Sequence, residues 1–149
     1  MAERDRHIAA LDHVFELTIL LHDEMVESLG REGLTTSRAH LLWELGRLGP
    51  STQTVLADAL NVSARNVTGL VDGLVAGGFV TREPHPTDRR AFLVSFTEPG
   101  AAVVKAMEES QQELAELLFG GMPGRQFDCF AAGLGEVVLR LRDRLAEGS

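Results

Sequence analysis

The sequence has one cysteine, one tryptophan, no tyrosine and no long hydrophobic run, and these shortages exclude several classes of protein. Cys129 alone cannot form an internal disulfide, which is typical of proteins in a reducing compartment. No apolar run reaches the ~18 residues that a transmembrane helix requires. Residues 1–6 lack the basic-then-apolar order of a signal peptide. We therefore expect a cytoplasmic protein with no membrane partner.

Motifs of catalysis are also missing. The sequence contains no Ser-His-Asp set, phosphate-binding loop or metal motif, and paired acids such as Glu108 and Glu109 are typical of solvated helix faces. Metal sensing by His22, Glu24 and His40 is a weaker alternative, because no two of these residues share a diagnostic spacing. We expect no enzymatic activity, no cofactor and no metal site.

The net charge of −8 argues at first against nucleic acid, whose phosphates are bound mainly by Lys and Arg. The charge is unevenly distributed, however. Residues 61–97 contain four arginines and three acids, whereas the rest of the chain contains ten basic and nineteen acidic residues. An acidic body with one locally basic segment is compatible with DNA binding at that segment alone.

Helical patterns fill most of the chain and are interrupted once by an alternating one. Apolar spacing predicts six helices, over residues 7–29, 37–48, 52–60, 64–76, 98–118 and 125–146. Alternation predicts two strands, 79–83 and 91–96, separated by a segment too rich in proline to be strand. In the second helix, four leucines are predicted to face inward: Leu41, Leu42, Leu45 and Leu48. The fold class is therefore mainly α with a small β-hairpin.

Residues 53–72 have the spacing of a helix-turn-helix. Two helices that meet at a steep angle need a small side chain at their closest contact, and Ala57 supplies it. The turn needs a residue that tolerates positive φ, for which Asn61 is suited, and Ser63 is a suitable N-cap for the next helix. Two amphipathic helices with an ordinary loop are the alternative, and the basic hairpin that follows disfavours it. The wedge between the helices is predicted to comprise Leu56, Leu60, Val62, Val67 and Leu70.

The second helix of this pair exposes polar side chains at its start, where a recognition helix meets base edges. Arg65 can bind guanine through two hydrogen bonds, Asn66 can bind adenine, and Thr68 can contact a phosphate or a thymine methyl. A surface ion pair at Arg65 and a plain capping-region residue at Asn66 are the alternatives. The other predicted DNA contacts of the two helices are Thr52, Gln53 and Ser63.

The hairpin is predicted to make a second DNA contact through its tip. At a hairpin tip, Arg89 and Arg90 are not expected to pack in a core. Arginine is favoured in a narrow minor groove because of the negative potential of the groove. Asp88 would be repelled by phosphate, so we expect it to pair with an arginine and orient its guanidinium. A solvated charged loop is the alternative.

These features resemble the MarR family of bacterial transcription regulators over about residues 51–100. In the helices, the resemblance is carried by Leu60-Asn61-Val62-Ser63, Val67-Thr68, Leu70-Val71-Asp72 and Gly78-Phe79-Val80. In the hairpin, it is carried by Pro86-Thr87-Asp88-Arg89-Arg90-Ala91 and Val94-Ser95-Phe96-Thr97-Glu98-Pro99-Gly100.

The resemblance implies a homodimer in which two winged helix-turn-helix lobes read a pseudo-palindromic operator in double-stranded DNA. By position, it implies that Arg90 enters the minor groove and that Asp88 orients it. This sequence departs from many relatives at Gly69 and Gly73, where they carry basic residues. Together with Gly77, these glycines recur along one helix face, which close packing, DNA approach or composition bias would each explain.

A single domain over residues 1–149 is expected to combine a lobe at 37–97 with dimerisation helices at 7–29 and 98–146. Those helices carry more apolar surface than a small winged helix can cover, so a symmetric pair would bury it. The residues predicted to lie in the dimer interface are Leu11, Phe15, Phe130, Leu134 and Leu141.

Release from DNA by a small aromatic or anionic effector is a further implication of the resemblance. Ordinary core packing is the alternative at each position of the expected pocket. Redox sensing is disfavoured because Cys129 lies in an apolar helix where inert burial is the default. The predicted pocket residues are Ile19, His22, Met25, His40 and Trp43.

The function predicted from the sequence is a homodimeric, sequence-specific regulator of transcription that acts as a repressor. A winged-helix protein-interaction module that no longer binds DNA is the alternative, and the net charge of −8 favours it.

Overall fold

The computed structural model describes residues 2–148 and contains six helices and three short strands among them. The chain is mainly α-helical, as predicted. The elements in chain order are α1 (Glu3–Arg31), α2 (Thr36–Leu48), β1 (Ser51–Thr52), α3 (Gln53–Leu60), α4 (Ala64–Ala76), β2 (Val80–Pro84), β3 (Phe92–Phe96), α5 (Glu98–Phe119) and α6 (Gly124–Glu147).

Helices α3 and α4 form the predicted helix-turn-helix. Asn61 ends α3 in the left-handed conformation, with φ 54° and ψ 48°, and the amide of Val62 donates to the Ala57 carbonyl at 3.0 Å. The Ser63 hydroxyl then caps α4 by accepting from the Asn66 amide at 3.1 Å. Both predictions for the turn are confirmed. A short polar residue at the left-handed position is what allows so tight a turn without glycine.

The small sheet has three strands in the order β1-β3-β2, all antiparallel. The hairpin of β2 and β3 was predicted, but β1 was not, because the sequence predicts that the third helix begins at residue 52. Pro84 also belongs to β2, where it pairs with Phe92, although the sequence suggested a loop there. Proline is tolerated because β2 is an edge strand and needs no donor on its outer side.

The core of the lobe lies between the helix-turn-helix, the hairpin and α2. Of the four leucines that α2 was predicted to bury, three are inaccessible, whereas Leu48 is 41% exposed and lies at the end of the helix. The Thr35 hydroxyl caps α2 by accepting from the Arg38 amide at 3.3 Å. The fully buried side chains are Leu41, Leu42, Leu45, Leu56, Val67, Val71, Leu74, Val80 and Val94.

The end of β3 is fastened to the α4–β2 turn by Thr97. Its amide donates to the Phe79 carbonyl at 3.1 Å, and its hydroxyl donates to the Gly78 carbonyl. The same hydroxyl accepts from the Gly100 amide at 3.1 Å and so caps α5. Gly100 is buried, and a Cβ atom there would overlap the carbonyl group of Phe79. Glycine is therefore required at this contact for steric reasons.

The chain divides into two compact units, one up to residue 106 and one from residue 107. In the second unit, the ring of Phe119 contacts Phe127 edge-on, with centroids 5.5 Å apart. No described residue of α6 is buried in the single chain, and Cys129 is exposed, contrary to the burial predicted for it. Among residues 2–148, no helix combines the length and the hydropathy of a membrane span.

Candidate nucleic-acid interface

The first turns of α4 present a polar surface to solvent. Arg65 and Asn66 are both exposed, and neither side chain has a hydrogen bond or ion pair among residues 2–148. Their helix is held from below by Val67, Val71 and Leu74, which are buried on the opposite face. A surface depression adjoins the exposed pair and is lined by Ser63, Arg65, Asn66, Gly69 and Leu70. Two side chains with the donor groups for base recognition are therefore free on a rigid helix.

A network of hydrogen bonds joins α3, α4 and β2 beside this surface. The Arg82 guanidinium donates to Gln53 Oε1 at 2.9 Å and also pairs with the Asp72 carboxylate. Gln53 Nε2 donates to the Thr68 hydroxyl at 3.1 Å. Because the atoms come from three elements, the network fixes the angle between recognition helix and hairpin. Gln53, predicted as a DNA contact, has both ends of its amide engaged inside the lobe.

Thr68 and Thr52 also use their hydroxyls within the protein. The Thr68 hydroxyl donates to the Ala64 carbonyl at 2.9 Å while accepting from Gln53, so it has no proton left to donate to phosphate. Thr52 caps α3 by accepting from the Val55 amide at 3.3 Å. Of the two contacts considered for Thr68, the one with a thymine methyl remains open.

The tip of the hairpin is shaped by two side chains that bind its own backbone. His85 Nδ1 accepts from the amides of Thr87 at 3.2 Å and Asp88 at 3.0 Å. Asp88 Oδ1 in turn accepts from the Arg90 amide at 3.0 Å. The sequence predicted that Asp88 would pair with an arginine side chain, whereas the carboxylate binds the main chain of Arg90. Arg89 and Arg90 are both exposed.

The residues of the predicted effector pocket lie on two helices. Ile19, His22 and Met25 are exposed on α1. His40 and Trp43 lie on α2, where the His40 imidazole is 3.8 Å from the Glu44 carboxylate. Among the described residues, no hydrogen bond or ion pair joins the two groups, so the pocket stays a prediction. Within residues 2–148, no three His, Cys, Asp or Glu side chains are grouped as a metal site.

The residues of the predicted dimer interface are exposed in the single chain. Leu11 and Phe15 on α1 are 50% and 58% exposed. On α6, Phe130 contacts the ring of Phe119 at 5.8 Å between centroids but remains exposed, as do Leu134 and Leu141. Apolar side chains thus extend along the surfaces of both helices.

Sequence reasoning did not find the Arg82–Gln53–Thr68 network. Arg82 and Gln53 are 29 positions apart, and helical or strand periodicity carries no signal about such a pair. The one sequence feature that could indicate an internal partner is the position of Arg82 inside the predicted strand 79–83, away from the hairpin tip.

Comparison with known proteins agrees with this arrangement. The family model described as MarR family matches residues 32–91. The HTH-type transcriptional repressor NicR of Pseudomonas putida is 36% identical over 89 residues, which are 60% of this chain and 56% of NicR. The matched segment therefore spans little more than half of that relative.

A second relative and a solved structure extend the match beyond the lobe. YpoP of Bacillus subtilis, an HTH-type transcriptional regulator, is 31% identical over 110 residues, covering 74% of this chain and 72% of YpoP. FabT of Streptococcus pneumoniae, solved in complex with DNA, superposes with a TM-score of 0.81 at 18% identity over 95% of this chain and 99% of FabT. The winged helix-turn-helix and these matches together show that the chain belongs to the MarR family of transcriptional regulators.

Proposed function

We propose that the protein is a homodimeric repressor of transcription that binds a pseudo-palindromic operator in double-stranded DNA. The observation that carries the proposal is the pair of free side chains, Arg65 and Asn66, at the start of a well-anchored α4. The start of a recognition helix is where base edges are met, and these side chains have the donor and acceptor groups that distinguish guanine and adenine. Repression is supported by the name of the relative NicR.

In this proposal the hairpin tip supplies the minor-groove contact. Arg89 and Arg90 project from a loop whose backbone is held by His85 and Asp88. A loop that is ordered before binding loses less conformational freedom on binding, so its arginines can contribute more to affinity. Arg90 is the minor-groove residue of the proposal, and Asp88 positions it through the main chain.

The apolar surfaces of α1 and α6 support the homodimer. Exposed apolar patches of this extent are uncommon on monomers and mark contact surfaces. Two lobes held by one dimer would meet half-sites about one turn of DNA apart, ~34–36 Å. Each lobe has few cations, so a single lobe should bind weakly. Pairing would compensate by raising the effective concentration of the second lobe at its half-site.

Salt-dependent DNA binding tests the proposal against the protein-interaction alternative. The full chain is titrated into a labelled random-sequence duplex at two salt concentrations. A regulator should bind and should lose affinity steeply as the salt concentration rises, since each arginine or lysine that binds a phosphate releases a condensed counterion. If the protein binds the duplex at neither of the two salt concentrations, the interaction module is favoured.

Base recognition is tested with Arg65→Ala. Bound sequences are first selected from a random duplex pool to define the operator, and operator variants are then compared by fluorescence anisotropy. We expect the binding free energy that discriminates between bases to fall by ~1–3 kcal/mol at one position in each half-site, with no change at the other positions. Arg31→Ala, which removes an exposed arginine paired with Glu27 on α1, is the control. Equal base preference in Arg65→Ala and the control would refute this assignment.

A further inference from the structure

The guanidinium of Arg38 lies over the backbone of α4 at Gly73. Arg38 belongs to the first turn of α2, and a Cβ atom at position 73 would be 2.5 Å from one of its guanidinium nitrogens. The missing side chain of Gly73 is therefore what makes room for a cation from another helix. This contact joins residues 35 positions apart and gives one of the recurring glycines of α4 a specific role.

Arg38 is half-buried, and its guanidinium has no hydrogen bond or ion pair among the described residues. The neighbouring acid on α4, Asp72, is already engaged by Arg82. By contrast, Arg47, the other arginine of α2, is paired with Glu44 at 2.8 Å. A partly desolvated cation without a counter-charge is costly, so an anion that binds there would relieve that cost.

The position of Arg38 along α4 indicates which anion this would be. At 100° per residue, Gly73 lies on the same helix face as Arg65, Asn66 and Gly69, opposite the buried Val67 and Val71. Eight residues separate Arg65 from Gly73, a rise of ~12 Å along the axis. The major groove is about 12 Å wide and about 8.5 Å deep, so the phosphates at its border lie roughly 10 Å from base edges at its floor. With Arg65 at base edges, a cation ~12 Å further along the helix is therefore within reach of those phosphates.

The rest of the recognition surface is short of cations for this purpose. Arg65 is the one basic residue of α4, and Arg82 is bound to Gln53 and Asp72. Gly69, between Arg65 and Gly73, leaves open space on the same face. We propose that Arg38 is a DNA phosphate contact, delivered by α2 across Gly73 to the recognition face of α4. This inference rests on the proposed DNA binding.

Moving the cation from α2 to α4 tests the assignment. Arg38→Ala is compared with wild type on a random-sequence duplex over a salt series. We expect affinity to fall about eightfold at ~0.1 M salt and the slope of log K against log salt to decrease by about 1. In Arg38→Ala/Gly73→Arg, the new arginine occupies the vacated space, and both quantities should recover.

Two controls separate this role from packing or a failure to fold. Arg47→Ala removes the same charge from the same helix but leaves α4 untouched, so it should bind like wild type. Arg38→Gln keeps a side chain over Gly73 without the charge and should show the same reduced slope as Arg38→Ala.

Each result supports or overturns the assignment. Wild-type affinity and slope in Arg38→Ala would overturn it while leaving DNA binding intact. A loss of affinity at constant slope, without recovery in the double variant, would assign Arg38 to packing alone and would overturn it as well. Failure of the wild-type protein to bind any duplex would instead refute the proposed function, and the role of Arg38 with it.

Discussion

At the scale of single residues, the hairpin tip is held by side chains that bind its own backbone. His85 accepts two amide hydrogen bonds through one ring nitrogen, and Asp88 accepts a third through its carboxylate. Both side chains act as local acceptors of the kind that asparagine and aspartate often provide in turns. The arginines that follow them are presented by this framework.

Removal of the imidazole acceptor should weaken DNA binding without unfolding the protein. In His85→Ala two amides of the tip lose their partner, so the loop must be ordered at the moment of binding. That ordering costs about 1 kcal/mol, or roughly fivefold in affinity. His85→Asn keeps a short acceptor and should bind like wild type. Anisotropy with the selected operator measures the effect, and thermal unfolding checks the fold. Equal affinity of both variants would show that the acceptor is unimportant.

At this scale the sequence predicted local roles well and distant partners poorly. Asn61 in the turn and Ser63 as N-cap were correct because Asn61 needs only its own backbone conformation and Ser63 binds an amide three positions away. The predicted partner of Asp88 was wrong, because charge suggested an arginine side chain while the carboxylate binds the Arg90 amide in a tight loop. The engagement of Gln53 by Arg82 required the fold to be known.

At the scale of elements, the contact between Gly100 and Phe79 joins α5 to the base of the hairpin. The carbonyl of Phe79 lies so close to the Gly100 Cα that no other residue fits there without backbone movement. Thr97 reinforces the same contact through hydrogen bonds to Gly78 and Phe79. The Thr-x-x-Gly pattern at the strand exit is thus explained by one steric requirement and one cap.

A methyl group at this contact should destabilise the lobe. Gly100→Ala forces β2 and α5 apart, for which overpacking costs of ~1–3 kcal/mol are typical. Gly69→Ala is the matched control: its Cβ would meet open space in the middle of α4, and alanine should stabilise that helix by ~0.5–1 kcal/mol. Urea unfolding at equal protein concentration compares the two. Equal midpoints for both variants would contradict the close approach.

The six helices and the hairpin were predictable because periodicity is strong over their lengths. Strand β1 was not, since two residues carry no period and its existence depends on pairing of Ser51 with Val94, 43 positions away. The start of α2 and the end of β2 also differ from the prediction by one residue each, at Thr36 and Pro84, because capping by Thr35 and edge pairing decide these boundaries.

At the scale of the whole molecule, the chain is an acidic protein with a small cationic recognition surface. Because Arg82 is paired internally, the proposed DNA binding relies on the few arginines of α4, the hairpin tip and α2. Such a lobe should bind DNA weakly by itself. Dimerisation through the exposed apolar faces is therefore a condition for useful affinity in the proposed function.

A charge placed in the apolar face of α1 should dissociate the dimer. Phe15→Glu removes a large apolar side chain from each copy, worth about 1.5–3 kcal/mol per copy when fully buried, and adds an unpaired charge. Sedimentation at micromolar concentration should show monomer, with weaker operator binding. Ala9→Glu adds the same charge on the polar sector of α1, near Glu16 by helical spacing, and should remain dimeric. A dimeric Phe15→Glu protein would exclude this face from the interface.

The fastening of the hairpin at its base has a consequence for how the protein can diverge. Thr97 and Phe79 hold the strands where they leave the helices, and the ladder from Val80–Phe96 to Pro84–Phe92 fixes their register up to the tip. Residues 85–91 lie beyond this ladder, so we expect changes in their number or identity to transmit little strain to the core. In the proposed function, substitutions at the tip can therefore alter the DNA contact while the scaffold of helices stays constant.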